Sequence, residues 1–121
     1  MKIAMPVDEK KLDSSVCPSF GRAPYFLFYN TVTKENYFLD NEAVASQGGA
    51  GIRAAQVIAD HGAHALLTPR CGENAENVLS KAEVLIYKTI PGTAQQNIDA
   101  FVAEQLVLLK EFHPGFHGHA K

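Results

Sequence analysis

The chain has 121 residues, 11 basic and 13 acidic side chains and a formal net charge of −2, with 46% hydrophobic and 20% charged residues. That length suits one domain with a real core, and the composition is that of an ordinary soluble globular protein. No basic run interleaves with aromatic residues and no apolar run approaches the roughly 20 residues of a membrane span, so neither a nucleic acid nor a membrane is an expected partner.

Residues 1–7 (MKIAMPV) form a short apolar run closed by Asp8, Glu9 and Lys10, which reads as a buried first strand. The same stretch lacks the apolar core of a signal peptide, so the cytoplasm is the expected compartment. In that reducing setting, Cys17 and Cys71 are expected as thiols or ligands rather than a disulfide. Residues 12–23 spread Ser, Pro and Gly through a loop. Residues 25–32 (YFLFYNTV) have strand composition, residues 33–36 a turn, and residues 37–40 a returning strand, together a hairpin. After the loop SQGGAG, residues 52–61 read as a helix with Ile52, Ala55 and Ala59 on one face and Ile58 beside them. Gly62 is a natural stop. Residues 64–68 form a strand, residues 73–82 a helix with Ala75, Val78, Leu79 and Ala82 inward, and residues 84–87 another strand. A third helix opens at Thr93 or Ala94, with Ile98, Phe101, Val102, Gln105 and Leu109 as its stripe. The order β-ββ-α-β-α-β-α implies an α/β fold in which crossover helices join parallel strands and a hairpin adds an antiparallel element. One domain spans residues 1–112, and the His-containing residues 113–121 form a tail.

Chemistry concentrates where strands give way to helices. In LLTPRCGENA, Arg70, Cys71 and Gly72 sit at the carboxyl end of a strand, where open α/β sheets bind ligands. A helix start there favours anions and lowers a thiol's pKa, and Gly72 lets backbone approach a ligand. The alternative is a turn with a cysteine packed as a small hydrophobe. In VCPSFGRAPYF, Cys17 lies in a restricted loop and Arg22 offers a forked anion donor; the alternative is a structural loop plugged by Phe20. If the first strand and the 64–68 strand are parallel neighbours, the two loops leave one sheet edge. Two soft thiolates suit copper(I), zinc or iron–sulfur species, and arginines suit an anion. Gly49, Gly51 and Ala54 satisfy G-x-G-x-x-A, but no strand precedes them directly and no acidic ribose ligand follows, so a dinucleotide is not expected. His113, His117 and His119 form a terminal group of imidazoles that a metal could use, against the plainer reading of an idle tail. No G-x-S-x-G, H-E-x-x-H or phosphate-loop motif is present, and no catalysis is expected.

Taken in order, MKIAMPVDEK, SFGRAPYFLFYN, GGAGIRAAQVIADHGAHALLT and CGENA resemble the dinitrogenase iron–molybdenum cofactor biosynthesis family, the NifX-like proteins, from residue 1 to about residue 103. The resemblance implies a ribonuclease H-like α/β fold of three layers, with a five-stranded mixed sheet and flanking helices. It implies a non-catalytic carrier or store for an iron–sulfur or molybdenum-containing cluster or its precursor, with cofactor-assembly proteins as partners. Some members carry a His just before F-G-R, where this chain has Ser19, and Cys17 is the candidate substitute. The expected site is built from loops 17–24, 47–53 and 69–74. Cys17 and Cys71 are candidate soft ligands, Arg22, Arg53 and Arg70 charge partners, and Gly48, Gly49, Gly51 and Gly72 sources of backbone N–H groups, with Ser19 beside them. A partner-docking module without a cluster, and a metal buffer acting through the tail, are the alternatives. A nuclease would need several carboxylates; Asp8 supplies one, and residues 68–71 supply none.

Overall fold

The computed structural model describes residues 1–41 and 49–113. Six strands form a single sheet in the order β3-β2-β1-β4-β5-β6. They are β1 Lys2–Val7, β2 Tyr25–Asn30, β3 Asn36–Asp40, β4 Ala65–Thr68, β5 Leu85–Lys88 and β6 Val107–Leu108. The described residues also form three helices, α1 Ala50–Asp60, α2 Glu73–Lys81 and α3 Ala94–Val102, and a 3-10 turn at Phe20–Arg22 between β1 and β2. The pairs β3–β2 and β2–β1 are antiparallel, β1–β4 and β4–β5 are parallel, and β5–β6 is antiparallel. The expectation of an α/β fold with a mixed sheet therefore holds, with six strands in place of five.

The sixth strand comes from chain that the sequence assigned to a third helix running to Leu109. That helix stops at Val102. Ala103 caps it, Glu104 takes a left-handed φ of 61°, and Gln105 N–H reaches back to Ala100 O at 2.8 Å. This is the Schellman ending that satisfies the last helical carbonyls. The chain then turns along the open edge of β5, pairing Leu108 with Tyr87 and Val107 with Lys88.

Alternation along the strands divides the core in two. Ala4, Phe26, Phe28 and Leu66 face α1 and α2. Ile3, Met5, Val7, Leu27 and Leu67 face α3, meeting Ala94, Ile98 and Ala100. The helices thus flank the sheet on both sides, two against one. The stripe that α1 buries is Ala50, Ala54, Ala55 and Ile58, whereas Ile52 is 42% exposed. The buried face is centred on Ala54, Ala55 and Ile58 instead of on Ile52, Ala55 and Ala59, because small residues are what let α1 lie close to its neighbours. On α2, Ala75 and Leu79 are buried, Val78 is half-buried and Ala82 is exposed.

Candidate functional site

The carboxyl ends of β1 and β4 lie side by side, because Ile3 pairs with Ala65 and Ala4 with Leu66 in parallel register. The condition under which the two cysteine loops share an edge is met. The loop after β1 folds back on its own strand: Cys17 N–H donates to Pro6 O at 3.0 Å, and Val16 bridges Val7. Ser14 holds this return from inside. It is 1% exposed, and its Oγ accepts from Asp8 N–H and Glu9 N–H at 3.2 and 3.0 Å. Phe20 then turns into the core and packs on Phe26 with ring centroids 5.5 Å apart.

Glycines set the meeting of the loops. A Cβ on Gly21 would lie 2.9 Å from Gly51 N and 3.0 Å from Gly51 Cα, so the FGR turn rests on the backbone that opens α1. A Cβ on Gly51 would meet the Ala75 Cβ at 3.7 Å, so the same residue abuts the first turn of α2. Loops 17–24 and 69–74 and the helix start at 49–53 therefore converge. Arg22, Arg53 and Arg70 are all exposed, and each is within two residues of Gly21, Gly51 or Gly72. Ser19 and Gly49 are exposed as well. Gly48, His117 and His119 lie outside the described residues.

The three helix N-termini differ in what occupies them. At α3, Ala94 and Gln95 donate to Ser14 O and Leu12 O, both at 2.9 Å, and Thr93 forms a capping box with Gln96. At α2, Glu73 and Glu76 already place two carboxylates in the first turn. At α1 the N-cap is Gly49, at φ 70°, without a side-chain cap, and the first turn has no acidic residue. Among the described residues, the partial positive charge of a helix start is least offset at α1, and this is the end that rests against the turn carrying Arg22 and against the first turn of α2, which follows Arg70.

The thiols behave differently from the expectation of a lowered pKa. Cys71 is 1% exposed, and burial pushes its thiol up to about 12, with the Glu76 carboxylate adding to the rise. Burial also raises Cys17; the Ser19 backbone partly offsets this, and Asp8 reinforces it. Each thiol donates to a local carbonyl at 3.6 Å, Cys17 to Ser19 O and Cys71 to Gly72 O. Both belong to the apolar cluster that includes Phe20, Ala54 and Ala75. The helix start beside Cys71 does not win, because desolvation of a thiolate outweighs a partial charge. Among the described residues, no group of three or more His, Cys, Asp and Glu side chains could hold a metal ion.

One residue beside these loops was not legible beforehand. Asn41 is buried, and its Nδ2 donates to Gly21 O at 3.2 Å and Ala23 O at 2.8 Å, tying the end of β3 to the FGR turn. An Asn just past a strand was its available signal. His113, assigned from sequence to the tail, is bonded to Cys71 and Glu73 through its backbone.

Among the described residues, no helix is long and apolar enough to cross a membrane. The family model "Dinitrogenase iron-molybdenum cofactor" matches residues 1–104. The apo form of the orange protein from Desulfovibrio gigas has a similar structure, with a TM-score of 0.86, 33% identity, and coverage of 89% of this chain and 92% of that one. A Thermotoga protein described as NifB-like, of the DUF35 family, gives a TM-score of 0.81 at 33% identity over 92% of this chain and 95% of its own. An uncharacterized protein of Methanocaldococcus jannaschii is 28% identical over 109 residues, 88% of this chain and 89% of that protein.

Proposed function

The chain belongs to the dinitrogenase iron-molybdenum cofactor family, and from that premise we propose that it is a cytoplasmic, non-catalytic carrier. Its cargo is an anionic iron–sulfur or molybdenum-containing cluster, or a precursor of one. The observation that supports this reading is the α1 start: a helix end with no acidic residue in its first turn and, among the described residues, no side-chain cap, packed against the turn that bears exposed Arg22 and against the first turn of α2, which follows exposed Arg70. A preformed anion is suited to such a place, because backbone N–H groups and guanidinium forks bind charge and shape without metal–ligand bonds. The description of the Desulfovibrio gigas relative as an apo form supports a ligand for that protein, and by likeness for this one. The β3-β2-β1 meander beside parallel β4 and β5 supports the ribonuclease H-like assignment.

In this reading Arg22, Arg53 and Arg70 hold the cargo, backbone N–H groups at Gly49, Gly51 and Gly72 line it, and Ser19 borders it. Gly48 belongs to the same set by sequence. Cys17 and Cys71 underlie the site and act as ligands only if the loops open and the thiols lose their protons.

Anaerobic reconstitution with iron, sulfide and molybdate, followed by absorption spectra and metal analysis, tests the assignment. The Arg22→Ala/Arg53→Ala/Arg70→Ala variant should lose most uptake, and the Cys17→Ala/Cys71→Ala variant should retain the greater part of it. Collapse of uptake in the cysteine variant would return the holding role to the thiols. No uptake by the unaltered protein, with a stoichiometric protein partner recovered metal-free, would favour a docking module instead.

A further inference from the structure

The sheet ends on β3 at one side and β6 at the other, and the two edges differ. β6 is two residues long, and by His113 the chain is already beside Gly72. β3 is five residues long, pairs with β2 at every position without a bulge, and contains no proline. Asn30 N–H donates to Glu35 O at 2.9 Å and Asn41 N–H to Pro24 O at 3.0 Å, in the same register that pairs Tyr25 with Asp40. The odd-numbered residues of β3 therefore bond β2, and the alternation of an antiparallel ladder turns the N–H and C=O of Asn36, Phe38 and Asp40 outward. β3 is the last strand on its side, so no described strand meets them. Natural edges are commonly blunted by prolines, bulges or charges. The single charge on this one, Asp40, is already held by Lys10 at 3.1 Å.

The strand reads Asn-Tyr-Phe-Leu-Asp, polar at both ends and aromatic or aliphatic between. A two-fold axis through Phe38 sets such a strand antiparallel to itself. Phe38 then faces Phe38, Tyr37 faces Leu39 and Asn36 faces Asp40, each cross pair made twice. The three outward residues pair only among themselves, as ladder bonding across a self-complementary interface requires. Tyr37 is 41% exposed and lies flat on Phe28 with ring centroids 5.0 Å apart, so its contact face is already in place. Asn36 presents an amide donor to the Asp40 carboxylate, and no like charges oppose each other across the axis. Moving the axis to Leu39 sets Phe38 against Asp40. Moving it to Tyr37 sets Asp40 against Lys34, which has a φ of 66° and lies outside the strand. We propose that the β3 edge is a homodimer interface, at which a second copy of this chain continues the sheet antiparallel through Phe38. β3 runs parallel to β1, since both are antiparallel to β2, so the loop sites of the two copies open at opposite ends of the joined sheet. The interface does not depend on the cargo reading.

Analytical ultracentrifugation of the full chain from micromolar to millimolar concentration should show reversible dimerisation. Hydrogen exchange at the amides of Asn36, Phe38 and Asp40 should slow as the concentration rises. The side chain of Asn36 is exposed, so its charge can be changed without entering the core. Asn36→Lys meets Asp40 of the second copy and should tighten the dimer; Asn36→Asp sets two carboxylates together and should weaken it. Each change should be about tenfold, because the contact occurs twice. Phe38→Lys places two ammonium groups on the axis and should leave a monomer; if that half-buried position does not tolerate lysine, the two Asn36 variants decide alone. A monomer at every concentration would overturn the proposal. So would a dimer whose affinity ignores both Asn36 changes, or one whose newly protected amides lie elsewhere.

Discussion

At the scale of single residues, burial decides the chemistry of the thiols. An ordinary thiol loses its proton near pH 9.0, but Cys71 in the folded chain holds its proton to about 12. Between these values the unfolded state has released a proton that the native state keeps, so stability falls as pH rises, by at most about 1.4 kcal/mol per pH unit from this group. The difference in urea-unfolding free energy between the native sequence and Cys71→Ala should therefore narrow above pH 9. The same protonation makes Cys71 slow toward alkylating reagents at pH 8. Gly21 is governed by space rather than charge. Its missing Cβ would strike backbone atoms of Gly51 at 2.9 and 3.0 Å, which no rotamer change relieves. Gly21→Ala should destabilise by about 1–3 kcal/mol in urea denaturation, as overpacking does, and should part the FGR turn from α1. The sequence marks F-G-R as a motif, and Arg22 and Cys17 stand out by chemistry. What it cannot supply is depth: the same Cys71 reads as an activated thiol at a helix start or as a packed one, and only its burial separates the two.

At the scale of elements, all three helices of the described chain end alike. The residue after each cap is left-handed: Gly62 at φ 76°, Glu83 at 62° and Glu104 at 61°. The backbone bonds Ala63 to Ile58, Val84 to Leu79 and Gln105 to Ala100 complete the pattern. The glycine announces its ending in the sequence; the glutamates do not, since L-residues with a Cβ pay to enter this region. That is why the end of α1 was legible, whereas α3 was extended past its true stop into β6. Glu83→Gly and Glu104→Gly should each stabilise by about 0.5–1 kcal/mol, the relief of a strained Cβ less the entropy of a glycine in the unfolded chain; calorimetric melting of the two variants checks this. Asn41 acts between elements. Removing its amide in Asn41→Ala leaves the Gly21 and Ala23 carbonyls short of a donor, and about 1–3 kcal/mol of stability should go with it. Faster hydrogen exchange in loop 17–24 should locate the loss.

At the scale of the molecule, topology assembles the site. The parallel β1–β4 pair puts two chemically marked loops at one edge, an outcome the alternation of strands and helices made legible. The α1 start joins them through Gly51, which the sequence marks as a source of N–H groups without showing what it touches; what meets each helix start depends on partners distant in sequence, such as Ser14 and Leu12 at α3. If exposed arginines hold the cargo, binding of an anionic probe should weaken with salt. The affinity for tetrathiomolybdate should fall several-fold between about 0.01 and 0.15 M ionic strength, where the screening length shrinks from about 30 to 8 Å; fluorescence or NMR titration at several salt concentrations measures this. The position of His113 also has a practical side. The start of β1 lies at the edge where Lys2 meets His61 and His64, away from the clustered loops, while His113 ends beside Gly72. A purification handle fused before residue 1 emerges at that remote edge. One fused after the last residue follows the chain that passes His113 beside Gly72, and if it is a run of histidines it adds metal-seeking groups whose uptake an assay would then mistake for the protein's own.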